Sequence, residues 1–105
     1  MYKRQARYID KETAELLISR GANINEKDND GNTALHRAAE NNSKETAELL
    51  ISYGANINEK DNDGLTALQY ASYFNSKVTA ELLISHGANI NEKDNDGETA
   101  LHIAA

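Results

Sequence analysis

The chain has 105 residues, 27% of them charged, with a formal net charge of -6 and neither cysteine nor proline. That length supports one small domain with little core to spare, and the absence of cysteine excludes disulfides and thiolate metal sites. An acidic chain suits a phosphate backbone poorly and no apolar run approaches the roughly 20 residues of a membrane span, so neither nucleic acid nor membrane is expected as a partner.

The chain opens on a basic cluster, Lys3, Arg4 and Arg7, which reads as a solubilising end. Met1-Tyr2-Lys3-Arg4 leads into no apolar stretch, so no signal peptide is expected and an intracellular, cytoplasmic protein is. For the same reason the sequon Asn41-Asn42-Ser43 carries little weight. Next comes a helix through Thr13–Ser19 (TAELLIS), then the string GANINEKDNDG at Gly21–Gly31. Both strings return, at Thr46–Ser52 and Thr79–Ser85 and at Gly54–Gly64 and Gly87–Gly97, with a spacing of 33 residues. Gly21–Tyr53 and Gly54–His86 are identical at 25 of 33 positions.

Each unit reads as a hairpin followed by two short helices. Asp30-Gly31 is a tight-turn pair. Thr33 stands at a helix N-cap, Ala34–Ala39 follows as a first helix, and Asn42-Ser43 breaks it. Asp10, Ser43 and Ser76 precede the second helix in the three copies, and all are good caps. Gly54 takes the left-handed position that ends the second helix. Leu49, Leu50 and Ile51 are consecutive, about 100° apart on a helix, so this helix must be covered on several sides. One unit cannot do that alone; a stack can.

These residues resemble the ankyrin repeat family. The likeness rests on the period, on Asp28-x-x-Gly31-x-Thr33-x-Leu35-His36, on Ala38-Ala39, on Leu49-Leu50 and on Gly54-Ala55-Asn56-Ile57-Asn58. It recurs over Asp61–Asn91 and begins again at Asp94. It implies an all-α solenoid of stacked hairpin-helix-helix units with short hairpin-like turns. One domain would comprise an N-terminal cap or partial repeat (1–20), two repeats (21–53 and 54–86) and a partial repeat (87–105). Against the family pattern, Ala34, Ala67 and Ala100 stand where Pro usually follows the capping Thr, and Gln69 replaces the family His. Arg37 lies where an apolar residue is usual, and Lys44, Thr46 and Ala47 replace bulkier aliphatics. These changes imply thin interfaces and a modestly stable array. Leu101 and Ile103 lack the second helix that would cover them, so the sequence reads as a piece of a longer or idealised array.

Catalytic and metal chemistry find no footing, and no cofactor is expected. Glu26–Gly31 looks like the start of a calcium loop, but the closing Glu is replaced by Arg37, Tyr70 and Ile103 in the three copies. His36 and His102 occupy equivalent places two units apart, too far for joint coordination, and a Thr33–His36 hydrogen bond is the expected role. The serines recur as caps or helix ends, and no Walker or Rossmann glycine pattern is present.

In a repeat scaffold the changing positions are the ones left to face partners. The two full units differ at eight places. The resemblance implies binding through hairpin tips and the first-helix face, which selects Asn32 and Leu65 at the hairpin edge and Glu40, Asn41, Tyr73 and Phe74 at the end of the first helix. With Tyr70 they form the candidate partner-binding set; Tyr70 and Phe74 read equally as fillers of space left by nearby alanines. The expected function is a non-catalytic scaffold for a partner protein, and the acid excess favours a basic partner surface. The alternative is a structural spacer or idealised fragment with no dedicated partner, self-associating end to end through its uncapped C-terminal end. The tips Lys27, Asn29 and Asp30 and their equivalents are expected to align as solvated ladders of like charge.

Overall fold

The computed structural model describes residues 11–105. The basic cluster and Asp10 lie outside the described residues. Among those described there are six helices, α1 (Lys11–Ser19), α2 (Ala34–Glu40), α3 (Lys44–Ser52), α4 (Ala67–Tyr73), α5 (Lys77–Ser85) and α6 (Ala100–Ala104), and no strand. Helices α2, α4 and α6 pack side by side as one row, and α1, α3 and α5 as a second. Between the rows runs one apolar core, with Leu35, Leu50, Leu68, Leu82 and Leu83 as its large members. Ala38, Ala39 and Ala71 are buried in it and let the first-row helices approach closely. The consecutive apolar residues of the second helices are covered as expected at Leu49, Leu50, Leu82 and Leu83.

The turns form because Asp28 closes them. Its Oδ1 accepts the N–H groups of Asp30 and Asn32, both at 2.9 Å, and its own N–H donates to the Asn32 carbonyl at 2.9 Å. Gly31 then takes φ +81°. A Cβ at Gly31 would lie 2.7 Å from the Asn62 nitrogen, so the residue is fixed by close approach as well as by backbone conformation. The approach has a purpose: Asn62 N–H donates to the Asp30 carbonyl at 3.0 Å, and Asn62 Nδ2 to the Asn29 carbonyl at 2.9 Å. Asn95 repeats both bonds on Asp63 and Asn62.

Each first helix starts on a reciprocal cap. Thr33 Oγ1 accepts the His36 N–H, while His36 Nδ1 accepts the Thr33 N–H at 3.1 Å. Thr66 and Gln69 do the same through Gln69 Oε1, and Thr99 and His102 through Nδ1. The far atom of the same side chain reaches the next unit: His36 Nε2 donates to the Leu65 carbonyl at 2.9 Å and Gln69 Nε2 to the Glu98 carbonyl at 2.8 Å.

The second helices depart from expectation. Ser43 and Ser76 occupy the cap positions, yet neither hydroxyl makes a capping bond, and Ser76 Oγ is buried without a partner among the described residues. Their ψ angles of 84° and 70° differ from the extended 174° and 172° of Thr33 and Thr66, which turns the hydroxyl away from the helix. The cap of α5 comes instead from the preceding unit. Asn42, at φ +53°, places its Oδ1 to accept from the Thr79 N–H at 3.2 Å and the Thr79 hydroxyl at 2.9 Å. The expected ladder of like charge is also replaced. Lys27 pairs with Glu59 at 2.7 Å and Lys60 with Glu92 at 2.6 Å, and both ammoniums also reach a carbonyl of the next turn, Lys60 and Lys93 respectively.

Two outcomes follow from the caps. Ala34 begins α2, its N–H makes no backbone bond, and Thr33 before it is extended, so Ala34→Pro should raise stability by about 0.4–1 kcal/mol in a urea titration. Burial holds the His36 pKa below its usual value, against the pull of the Leu65 carbonyl. Above the unfolded value of about 6.5 both states are neutral; below it the unfolded chain takes up a proton that the folded chain refuses, so stability falls as pH drops. His36→Gln, which installs the side chain that unit two already uses, should flatten the fall in urea midpoint between about pH 7 and pH 5.

Candidate functional site

The hairpin tips and the ends of α2 and α4 enclose a cavity of about 390 Å³. Six of the seven expected binding residues, Asn32, Glu40, Leu65, Tyr70, Tyr73 and Phe74, line it. Asn41 is not part of the lining; it ends α2, where its Nδ2 donates to the Arg37 carbonyl at 3.1 Å.

The residues differ in what they offer. Tyr73 is 73% exposed and Phe74 is also exposed, and their rings meet edge to face with centroids 5.0 Å apart. Phe74 continues to Tyr70 at 6.2 Å, and Tyr70 to His36 at 5.0 Å, so four rings run from the buried core to the rim. Leu65 is half-buried. Asn32, expected at an exposed edge, is only 6% exposed. The reason is Tyr70, whose hydroxyl lies 2.6 Å from both Asn32 Oδ1 and Asp61 Oδ2. Burial, together with the Asp61 carboxylate that would repel a phenolate, pushes the Tyr70 pKa up, so the hydroxyl remains a donor. Tyr70 and Asn32 therefore clasp two units together, and the side of the clasp forms the cavity wall.

Unit one solves the same problem with a cation. Arg37 donates to Asp28 Oδ2 at 2.7 Å and to Glu40 at 3.2 Å. Burial raises the Asp28 pKa, but hydrogen bonds from the Asn32 N–H and the Arg37 guanidinium outweigh it and hold the carboxyl below its ordinary value. Tyr70 and Arg37 are thus alternative donors to the same turn-closing Asp. The pattern was readable as two residues at one repeat position, each nine residues after an Asp, but nothing in the sequence said that they point the same way.

Carboxylates dominate the rest of the lining. Asp30, Glu40, Asp61 and Asp63 face one cation, Arg37. Asp30 and Asp63, expected as solvated tips, border the aromatic rings. Among the described residues no group of three or more His, Asp or Glu side chains converges to hold a metal ion, and no helix is long and apolar enough to cross a membrane.

The structure is a stacked helical repeat with a groove between its tips and its first-helix row. A model of ankyrin repeats matches the chain over residues 5–61 and 54–105, in three copies. The chain belongs to the ankyrin repeat family. No curated protein matches it. Ankyrin repeats are in general protein-protein interaction modules and typically non-enzymatic scaffolds.

Removing the clasp hydroxyl tests its weight. Tyr70→Phe keeps the ring stack but leaves Asn32 and Asp61 without their donor, and should cost about 1–3 kcal/mol by urea unfolding while the helical circular dichroism is kept.

Proposed function

We propose that this chain is a non-catalytic binding module whose partner docks in the groove between the hairpin tips and the first-helix row. The observation that carries the reading is the exposed edge-to-face pair Tyr73 and Phe74 at the rim of a cavity that also holds half-buried Leu65. Large rings left uncovered on a rigid row are what binding hot spots are built from, because they bring much apolar area at little entropic cost. Both stand in the unit where the two full repeats differ most in apolar character, since the first has Glu40 and Asn41 at the same places.

The partner surface that suits this groove carries an apolar anchor beside basic side chains. Asp30 and Asp63 border the rings, and Arg37 is already committed to Asp28 and Glu40. Such a partner would be steered by charge and held by the rings, so salt should slow its association more than it speeds its release.

Among the described residues the Tyr73 and Phe74 side chains have no hydrogen-bond partner, and Leu65 is only half-buried, so all three can be replaced without opening the core. A triple variant Leu65→Ala, Tyr73→Ala, Phe74→Ala should lose a partner captured by the unmodified chain, each ring contributing about 2 kcal/mol of binding. Val78→Ala, at an exposed position outside the groove, should bind as before. Equal capture by all three proteins would move the binding face elsewhere, and capture by none would favour a spacer.

A further inference from the structure

On the reading that the groove is the binding face, we propose that it receives an arginine side chain, presented on an extended segment of the partner. The guanidinium bonds to the carboxylates of Asp30 and Asp63, and its plane rests on the rings of Tyr73 and Phe74. The cavity, about 390 Å³, is at the small end of ligand sites. It has room for a side chain or two, but not for a helix about 10–12 Å across.

The charges of the lining leave a place for a cation. Asp61 is saturated: its Oδ1 accepts the N–H groups of Asp63 and Leu65 at 2.9 and 2.8 Å, and its Oδ2 lies 2.6 Å from the Tyr70 hydroxyl. Glu40 pairs with Arg37, and Arg37 also holds Asp28. The carboxylates of Asp30 and Asp63 are exposed and have no partner among the described residues. They stand on neighbouring turns, which the Asn62 N–H ties together through the Asp30 carbonyl at 3.0 Å. A purely apolar occupant would cover the rings but strip water from both carboxylates without replacing it.

The rings select the kind of cation. The planes of Tyr73 and Phe74 meet at 79° and those of Phe74 and Tyr70 at 46°, so they form a corner of ring faces rather than a flat stack. Ring faces carry the negative side of the aromatic quadrupole and attract a cation laid on them. A guanidinium can lie flat on a ring while its edge donates in plane to carboxylates; an ammonium has no such plane and holds its water more tightly. Unit one shows the same chemistry closed within the chain, where Arg37 spans from Asp28 at the tip to Glu40 at the end of α2. Unit two has Tyr70 and Tyr73 in those two places. A guanidinium over this part of the groove therefore has to come from outside the chain.

An NMR titration of the full chain at low salt tests this. The probe is acetyl-Gly-Ser-Arg-Ser-Gly-amide, compared with the same peptide carrying Lys, citrulline or Leu at its centre. The arginine peptide should move the amide resonances of Asp30, Asp63, Tyr73 and Phe74 with a dissociation constant on the order of 1 mM. Lysine should bind about threefold more weakly, and leucine and citrulline, which has the shape of arginine without its charge, about tenfold more weakly. Asp30→Asn combined with Asp63→Asn should weaken the arginine peptide by about tenfold. The turn bonds run through the main chain of both residues, so this variant keeps the fold, as circular dichroism would check. Tyr73→Leu combined with Phe74→Leu keeps apolar area but removes the ring faces, and should cost about threefold. Asp96→Asn, at the same repeat position but outside the lining, should change nothing. A leucine peptide that binds in the groove as tightly as the arginine one overturns the proposal and leaves the groove as the binding face. Shifts at Asp96 as large as those at Asp30, or arginine and lysine binding equally with no loss in the leucine variants, would mark diffuse attraction to an acidic surface and overturn it too. So would groove resonances that move with none of the peptides, while capture by the triple variant still decides the groove itself.

Discussion

Everything in this stack depends on a main-chain contact that only a residue without a side chain permits. Gly31 and Gly64 let the following turn come close enough for Asn62 and Asn95 to bond the carbonyls of the preceding one. Once the turns are in register, the Thr caps, the reach of His36 and Gln69 across the junction and the packing of alanine-lined helices all fall at the same spacing. The junction is mostly polar at the turns and apolar between the helices. The first sets alignment and the second supplies most of the burial free energy.

The groove inherits its shape from that alignment. Its wall is the Tyr70 clasp, a donor shared between an Asn of one unit and an Asp of the next. Its rim is the pair of rings that the clasp leaves outside. The wall is held by hydrogen bonds, while the rim is held by little else and is the part that the proposed partner would meet. Substitutions at Tyr73 and Phe74 should therefore have small effect on the fold, while changes at Tyr70 strike the fold first.

Much of this was legible in the residues. Period 33, the glycine positions, the Thr–His bond and the buried consecutive leucines all followed from local chemistry that repeats, and repetition makes a weak signal strong. What escaped was whatever required knowing where a side chain points. Ser43 and Ser76 have the composition of caps, but ψ near 70–84° takes their hydroxyls off the helix and passes one cap to Asn42 of the neighbouring unit. The resemblance places Asn32 at an exposed edge, yet it is buried by a tyrosine 38 residues away. Lys27 and Lys60 looked like a row of like charge, but each sits across from a glutamate displaced by one unit.

Most junction bonds made by side chains end on main-chain atoms: the Leu65 and Glu98 carbonyls, the Asn56 and Asn89 amides, the Lys60 and Lys93 carbonyls. Every residue type but proline offers the same amide, and every type the same carbonyl. A junction of this kind does not inspect its neighbour's identity, so modules can be reordered, multiplied or exchanged between chains while the architecture stays in step. The proposed binding face is then free to be written one module at a time.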